Sequence, residues 1–223
     1  MAKITREAFK TYNSVFDAFT NRALFRLESK KMLGDATQLQ PISVGKESNV
    51  FLSYDPDGNP VIVKIYRVQN CNFNTMFTYL RQDNRFMDLK KQRRTVIFSW
   101  VKREWHNLIK AHRLGFSVPR PIALDNHIII MQAIGTPYLA PQLKHKVPTD
   151  APAFQKKVLS FIEQYKKQNM VHGDLSSYNI LNNDEEPVFI DFSQACPYDS
   201  YFGKELYKRD LHNIHQFFEK IKQ

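Results

Sequence analysis

His172, Asp174, Asn179 and Asp191 stand in the order and spacing that phosphoryl transfer from a metal-bound nucleotide requires. They fall within VHGDLSSYNILNNDEEPVFIDF, residues 171–192. The spacing places Asp174 and Asn179 on a short loop, followed by an apolar strand at Ile180-Leu181. The acidic turn over 183–187 then leads into a second strand, Val188-Phe189-Ile190, which ends at Asp191. Such a hairpin sets Asn179 and Asp191 side by side, so that two oxygen ligands converge on one Mg2+, with Mn2+ as an alternative ion. Asp174, on the loop ahead of it, is left to accept the proton of an incoming hydroxyl or to orient a water. An ordinary hairpin with surface acids would account for any of these residues singly. It does not account for the whole set in register, flanked by strands where the geometry needs them.

The set matches the protein-kinase catalytic loop His-x-Asp-x-x-x-x-Asn with its downstream metal aspartate, and such a site also needs a lysine and a phosphate cover for ATP. Lys64 lies in Ile62-Val63-Lys64-Ile65-Tyr66, a predicted strand from which its ammonium can reach the α- and β-phosphates if a carboxylate holds it. Glu104 is the candidate carboxylate. Trp100, Val101, Trp105, Leu108 and Ile109 recur at helical spacing, which puts Glu104 beside the buried stripe. Read alone, Lys64 would be a strand-edge lysine and Glu104 an exposed helical acid; the ordered set with Asp174 reverses both readings. The candidate cover is Val44-Gly45-Lys46-Glu47-Ser48-Asn49-Val50, with one glycine where protein kinases usually carry three. Bare backbone N–H groups approach phosphate closely at glycine, so the approach rests on Gly45, the Ser48 hydroxyl and the backbone from Lys46 to Asn49.

Gly45-Lys46-Glu47-x-Asn49-Val50, taken with His172-x-Asp174-Leu175-Ser176-x-Tyr178-Asn179, resembles the RIO family of atypical protein kinases. The resemblance runs over residues 20–218. It takes in Lys64-Ile65-Tyr66-Arg67, Gly115-x-x-Val118-Pro119-x-Pro121 and Ala140-Pro141-Gln142-Leu143. It continues through Ile190-Asp191-x-x-Gln194-Ala195 and Arg209-Asp210-Leu211-x-Asn213-Ile214. Too few residues precede Gly45 for the winged helix of one branch, so the chain looks like the shorter, archaeal-like branch. Ser177 stands where the family usually has an acid, and Asp191-Phe192-Ser193 lacks the glycine of Asp-Phe-Gly. Neither departure removes a catalytic atom. The resemblance implies a serine/threonine kinase or an ATPase switch acting in maturation of the small ribosomal subunit, with rRNA and ribosomal protein as partners. It also implies that a phospho-aspartate can form at Asp191.

The remaining sequence fits one unit of this kind. Its 223 residues are 43% hydrophobic, enough for a real core. No apolar run suits a signal peptide or a membrane span, and Cys71 and Cys196 read as reduced thiols, so a soluble cytoplasmic protein is expected. Lys plus Arg number 32 against 22 Asp plus Glu, a net charge of +10, with basic groups at 90–94, 144–146, 166–167 and 204–209. These support a partner bearing nucleic acid only in combination with the resemblance, because charge runs are usually solvated faces.

The expected fold is α+β, a bilobal protein-kinase-like fold with a truncated C-terminal lobe. Residues 1–36 form an N-terminal helical extension, with a helix over 15–33 that Gly34 stops. An N-lobe spans 37–131. Its flexible segment, 70–95, mixes aromatics with basic groups and offers Thr75 and Thr78 as nearby hydroxyls. A hinge at 132–135 would pair adenine with the Gln132 carbonyl and the Ile134 N–H. The reduced C-lobe, 136–223, opens with an amphipathic helix over 152–169. It closes with one over 204–222 that buries Leu206, Leu211, Ile214, Phe217, Phe218 and Ile221. The short stretch after Asp191 leaves no room for an activation segment and peptide platform. Substrate recognition would then rest on docking of a large partner, or the output is an ATP-driven switch.

Three other readings compete. Small-molecule kinases of the aminoglycoside or choline type share His-Gly-Asp and Ile-Asp-Phe, but need a large helical substrate domain between Ile134 and Asp174. The short kinase of the tRNA-threonylcarbamoylation complex usually keeps Asp-Phe-Gly. A pseudokinase serving as an RNA- or ribosome-binding module has no physical need for intact Lys64, Glu104, Asp174, Asn179 and Asp191.

Overall fold

A computed structural model describes residues 16–69, 71–81, 83–135 and 137–221. The chain divides into two compact units. Unit 1 gathers the chain up to Leu80, with Asp88–Lys102 and Pro121–Ala133; unit 2 gathers Arg81–Met87, Arg103–Arg120 and the chain from Ile134.

Unit 1 is built on a five-stranded antiparallel sheet in the order β1-β2-β3-β5-β4. Its strands are β1 (Gln40–Val44), β2 (Ser48–Tyr54), β3 (Pro60–Tyr66), β4 (Pro121–Asp125) and β5 (Ile128–Gln132). Along β2 every second residue from Asn49 to Ser53 is buried, the alternation of a strand with one face on the core. Central β3 buries Val61 and then every residue from Val63 to Tyr66, and it seats Lys64 between Val50 and Ile129 in register. Phe51, Val61, Val63, Ile65, Ile128 and Ile130 form one core with Ala23, Leu24 and Leu27 of helix α1 (Ala18–Ser29). Each large apolar side chain so buried contributes about 1.5–3 kcal/mol.

Helix α1 starts at Asp17, whose carboxylate accepts the Thr20 N–H at 2.8 Å. It is shorter than the expected 15–33 span, and residues 1–15 of the expected extension lie outside the described residues. Lys31 takes the left-handed conformation (φ 57°) that ends the helix. Gly34 is not the stop; its N–H bonds the Tyr54 carbonyl at 2.8 Å, so it ties the segment after the helix to the end of β2. Arg26 clamps Asp125 with bonds of 2.9 and 2.6 Å, and Thr20 meets His127 at 2.9 Å. The 70–95 segment holds a helix, α2 (Phe73–Leu80), which buries Met76 and Leu80. Helix α3 (Arg93–Arg113) extends well beyond the apolar stripe that signalled it.

Unit 2 pairs helices α4 (Ala151–Lys167) and α5 (Gly203–Lys220) with a hairpin of β6 (Ile180–Asn183) and β7 (Glu186–Phe189). Asp150 caps α4 by accepting the Ala153 N–H at 2.9 Å. Phe154, Val158, Phe161, Ile162 and Tyr165 are buried on one face of α4, as its periodicity requires. Phe161 stacks on Phe189 of β7, which seats the hairpin on this helix. Helix α5 buries Leu206, Asp210, Ile214 and Phe218, whereas Leu211, Phe217 and Ile221 are only half-buried. The buried face is therefore rotated from the expected one, because the true stripe runs at steps of four and includes an acid.

Candidate active site

The β6–β7 hairpin sets the spacing of the predicted ligands. Ile180 pairs with Phe189, and the Ile190 N–H continues the ladder to the Asn179 carbonyl at 3.0 Å. Asn179 and Asp191 thus sit at the open end of the hairpin, on adjoining strand ends. The tight turn at its other end uses left-handed backbone at Asp184 and Glu185 (φ 49° and 67°). Asn179 also reaches back to the loop, its amide nitrogen donating to the Asp174 carbonyl at 2.8 Å and to Asp174 Oδ2 at 3.2 Å. Its amide oxygen is then the atom left for a cation. Asp191 is itself left-handed (φ 64°), and the Ser193 N–H lies 3.4 Å from its Oδ1. The unusual backbone position is Asp191, not Ser193, so a serine fits where the related motif has glycine.

Asp174, Asn179 and Asp191 are all half-buried or nearly so. Burial, and then the charge of Asp191, hold the Asp174 carboxyl above its usual value. Carboxylates whose charges raise the cost of ionisation fit a site for a divalent cation, and a carboxylate with an amide oxygen is the hard donor set that Mg2+ takes alongside phosphate and water. The residues present therefore fit magnesium.

Sequence reading missed what holds this loop. Asp210, 1% exposed, accepts the Gly173 N–H at 2.8 Å and the Leu175 N–H at 2.9 Å. Asn213, one turn on, donates to the Leu175 carbonyl at 3.1 Å, and Arg209 donates to the Gly173 carbonyl and to Gln194. The peptide groups on both sides of Asp174 are fixed by one helix. Gly173 is left-handed (φ 78°), and a Cβ there would stand 2.8 Å from the Gln194 carbonyl oxygen. Arg209, counted in the sequence among surface charges, is instead half-buried and structural. The signal for Asp210 was present: it lies four residues from both Leu206 and Ile214, on the buried stripe.

In unit 1, Lys64 is 7% exposed, with its ammonium 5.2 Å from the Tyr66 ring centroid. Val44, Gly45, Lys46, Glu47, Ser48 and Val50 lie on or between β1 and β2, where the Gly45 N–H bonds the Ser48 carbonyl at 2.9 Å. Asn49 is fully buried in β2; its side-chain oxygen accepts from Arg67, and its amide nitrogen has no hydrogen-bond partner among the described residues. Gln132 ends β5. In unit 2, Glu104 is 2% exposed on α3, and the Ile134 carbonyl accepts the Ala140 N–H at 2.8 Å. The aromatics of the 70–95 segment carry its cations: Arg93 lies over Phe73, and Lys91 over Phe77.

A family model described as the RIO domain matches residues 49–223. The RIO-type serine/threonine-protein kinase Rio1 of Methanocaldococcus jannaschii is 36% identical over 216 residues, covering 96% of this chain and 73% of that protein. Its namesake in Haloferax volcanii is 34% identical over 215 residues, with the same coverage of 96% and 73%. Among solved structures, the Rio2 kinase-ADP/Mg2+-phosphoaspartate complex from Chaetomium thermophilum is similar with a TM-score of 0.67 at 23% identity. That likeness covers 89% of this chain and 59% of that one, and it speaks for the protein-kinase-like fold alone.

Proposed function

Since the chain belongs to the RIO-domain family of serine/threonine-protein kinases, we propose that this phosphotransferase moves the γ-phosphoryl group of ATP at Asp174, to a hydroxyl or to water. The observation that carries this reading is the anchoring of Asp174. A half-buried carboxylate is held at both flanking peptides by Asp210, Arg209 and Asn213, and bridged to Asn179 beside Asp191. Such a group is pre-positioned to take a proton from a nucleophile. Asn179 and Asp191 hold the magnesium, which when bound neutralises phosphate charge. Lys64 serves the α- and β-phosphates, with Glu104 as its carboxylate, by their place in the ordered motif.

The finer part of the proposal is a role in maturation of the small ribosomal subunit, in the cytoplasm. The basic clusters Lys90-Lys91-Gln92-Arg93-Arg94 and Lys144-His145-Lys146, exposed along almost their whole length, support an RNA-bearing partner. Purified protein with γ-labelled ATP tests the core of the reading: Mg2+-dependent turnover is expected, abolished by EDTA. No turnover with any divalent cation would leave a binding module instead.

A further inference from the structure

Within unit 2, the main chain just after Asp191 is held by two buried side chains of α3. Arg103 and Asn107 lie one turn apart on one face of that helix, 2% and 1% exposed. Asn107 donates its amide to the Phe192 carbonyl at 3.1 Å and to the Ala195 carbonyl at 2.8 Å. Arg103 donates to the Gln194 carbonyl at 3.2 Å and to the Ala195 carbonyl at 3.3 Å.

A second pair sets these two. Arg85 donates to the Asn107 amide oxygen at 3.2 Å, which fixes the end of the amide that faces the carbonyls. Arg85 also clamps Asp83 with bonds of 2.9 and 2.6 Å. Asp83 is buried at the start of a short 3-10 turn (Asn84–Phe86), accepts the Arg85 N–H at 3.0 Å and faces Arg103 at 3.7 Å. Burial alone would raise the Asp83 carboxyl, but the Arg85 bonds and then the charge of Arg103 hold it below its usual value.

The Phe192–Ser193 peptide is where this network meets the site. A planar peptide carries its C=O and N–H on opposite sides. Here the carbonyl accepts from Asn107, and the N–H lies 3.4 Å from Asp191 Oδ1. We propose that Asn107 is a positioning residue for the Asp191 carboxylate, acting through this peptide, and that the Asp83–Arg85 pair sets Asn107 for the task. Asp210 on α5 holds the peptides around Asp174; Asn107 on α3 does the corresponding work for Asp191.

The metal-holding part of Asp191 rests on the proposed function, but the grip on its peptide does not, and hydrogen exchange reads that grip without metal or nucleotide. Arg85→Gln changes a side chain that is 40% exposed, so the protein should fold. Its amides over 192–196 should exchange about fivefold faster than in wild type, the size of one net hydrogen bond, with the buried face of α4 unchanged. Asn107→Asp keeps the shape but turns the donor into an acceptor facing two carbonyls, and should give a larger increase. The Mg2+ concentration for half-maximal turnover should rise about fivefold in Arg85→Gln and further in Asn107→Asp, with kcat at saturating Mg2+ changed less. Wild-type exchange over 192–196 in Arg85→Gln overturns the network. Faster exchange with an unchanged Mg2+ midpoint overturns the positioning role. If Asn107→Asp does not fold, Arg85→Gln decides both. Absence of turnover in wild type would instead count against the proposed function, and exchange would still decide the grip.

Discussion

Asp210 grips the peptide N–H groups on either side of Asp174, from Gly173 at 2.8 Å and from Leu175 at 2.9 Å. One carboxylate on the last helix therefore sets the direction of another on the loop. Asp210→Asn replaces one accepting oxygen with a donor that must face an N–H. We expect a loss of about 1–3 kcal/mol in stability, read as a lower urea midpoint, together with a fall in kcat larger than any change in ATP affinity. Wild-type kcat in a folded Asp210→Asn protein would show that the loop does not depend on this anchor.

The contrast between Asp174 and Asp210 shows where sequence reading succeeds. Asp174, Asn179 and Asp191 were legible because their chemistry is local: a loop and a hairpin fix their spacing along the chain. The α4 face was equally legible, since Phe154, Val158, Phe161, Ile162 and Tyr165 recur at helical spacing among polar residues. Asp210 was not, because an acid on a buried helical stripe makes sense only when its partners, Gly173 and Leu175, are known. The same holds for Arg209, which charge counting assigns to the surface. Gly34 misled for a related reason: its demand comes from the Tyr54 carbonyl on β2, and no local rule for helix ends contains that contact.

Removing each site residue should give a different kinetic signature. Asp191→Ala should lose metal-dependent ATP binding, measured by titration with and without EDTA. Lys64→Ala should weaken ATP binding in the same assay. Asp174→Ala should still bind ATP, with turnover reduced by about two to four orders of magnitude if it is the base. Loss of binding with chemistry retained in the bound fraction would put Asp174 among the nucleotide contacts instead.

His127 gives unit 1 a pH-dependent stability. Burial lowers its pKa from 6.5 to about 4, against the opposing pull of Asp17 and Asp125, while Arg94 and Arg26 add to the lowering. Its Nδ1 is buried with no hydrogen-bond partner among the described residues, so protonation there would place an unpaired charge inside the aromatic contact with Phe19 and Phe98. The folded pKa is depressed, so the stabilisation is complete above pH 6.5 and is lost as pH falls towards about 4. Linkage gives a loss of about 2 kcal/mol between about pH 7 and pH 5. Urea midpoints should fall over that range in wild type and fall less in His127→Phe. Parallel curves for the two proteins would remove His127 as the cause.

The phosphoryl acceptor offers the sharpest test. Asp191 stands in a left-handed conformation at the open end of the hairpin, with the Ile190 carbonyl held by His172 and the Ser193 N–H 3.4 Å from its Oδ1. The Ser193 N–H contact is to the side chain itself, so turning one carboxylate oxygen from a metal towards phosphorus, as enzymes that pass through an aspartyl-phosphate require, would give up that contact. If that oxygen attacked the γ-phosphorus of ATP, ADP would leave and an acyl phosphate would remain, for a water oriented by Asp174 to hydrolyse. Rapid quench after γ-labelled ATP should then give protein-bound label that is stable in acid and lost to hydroxylamine. Label that survives hydroxylamine and maps to Thr75, Thr78 or another hydroxyl would make the protein a serine/threonine kinase without this intermediate. Asp191→Asn separates the two outcomes further: it removes the acyl phosphate entirely, while a hydroxyl acceptor would still be labelled in proportion to whatever Mg2+ binding remains.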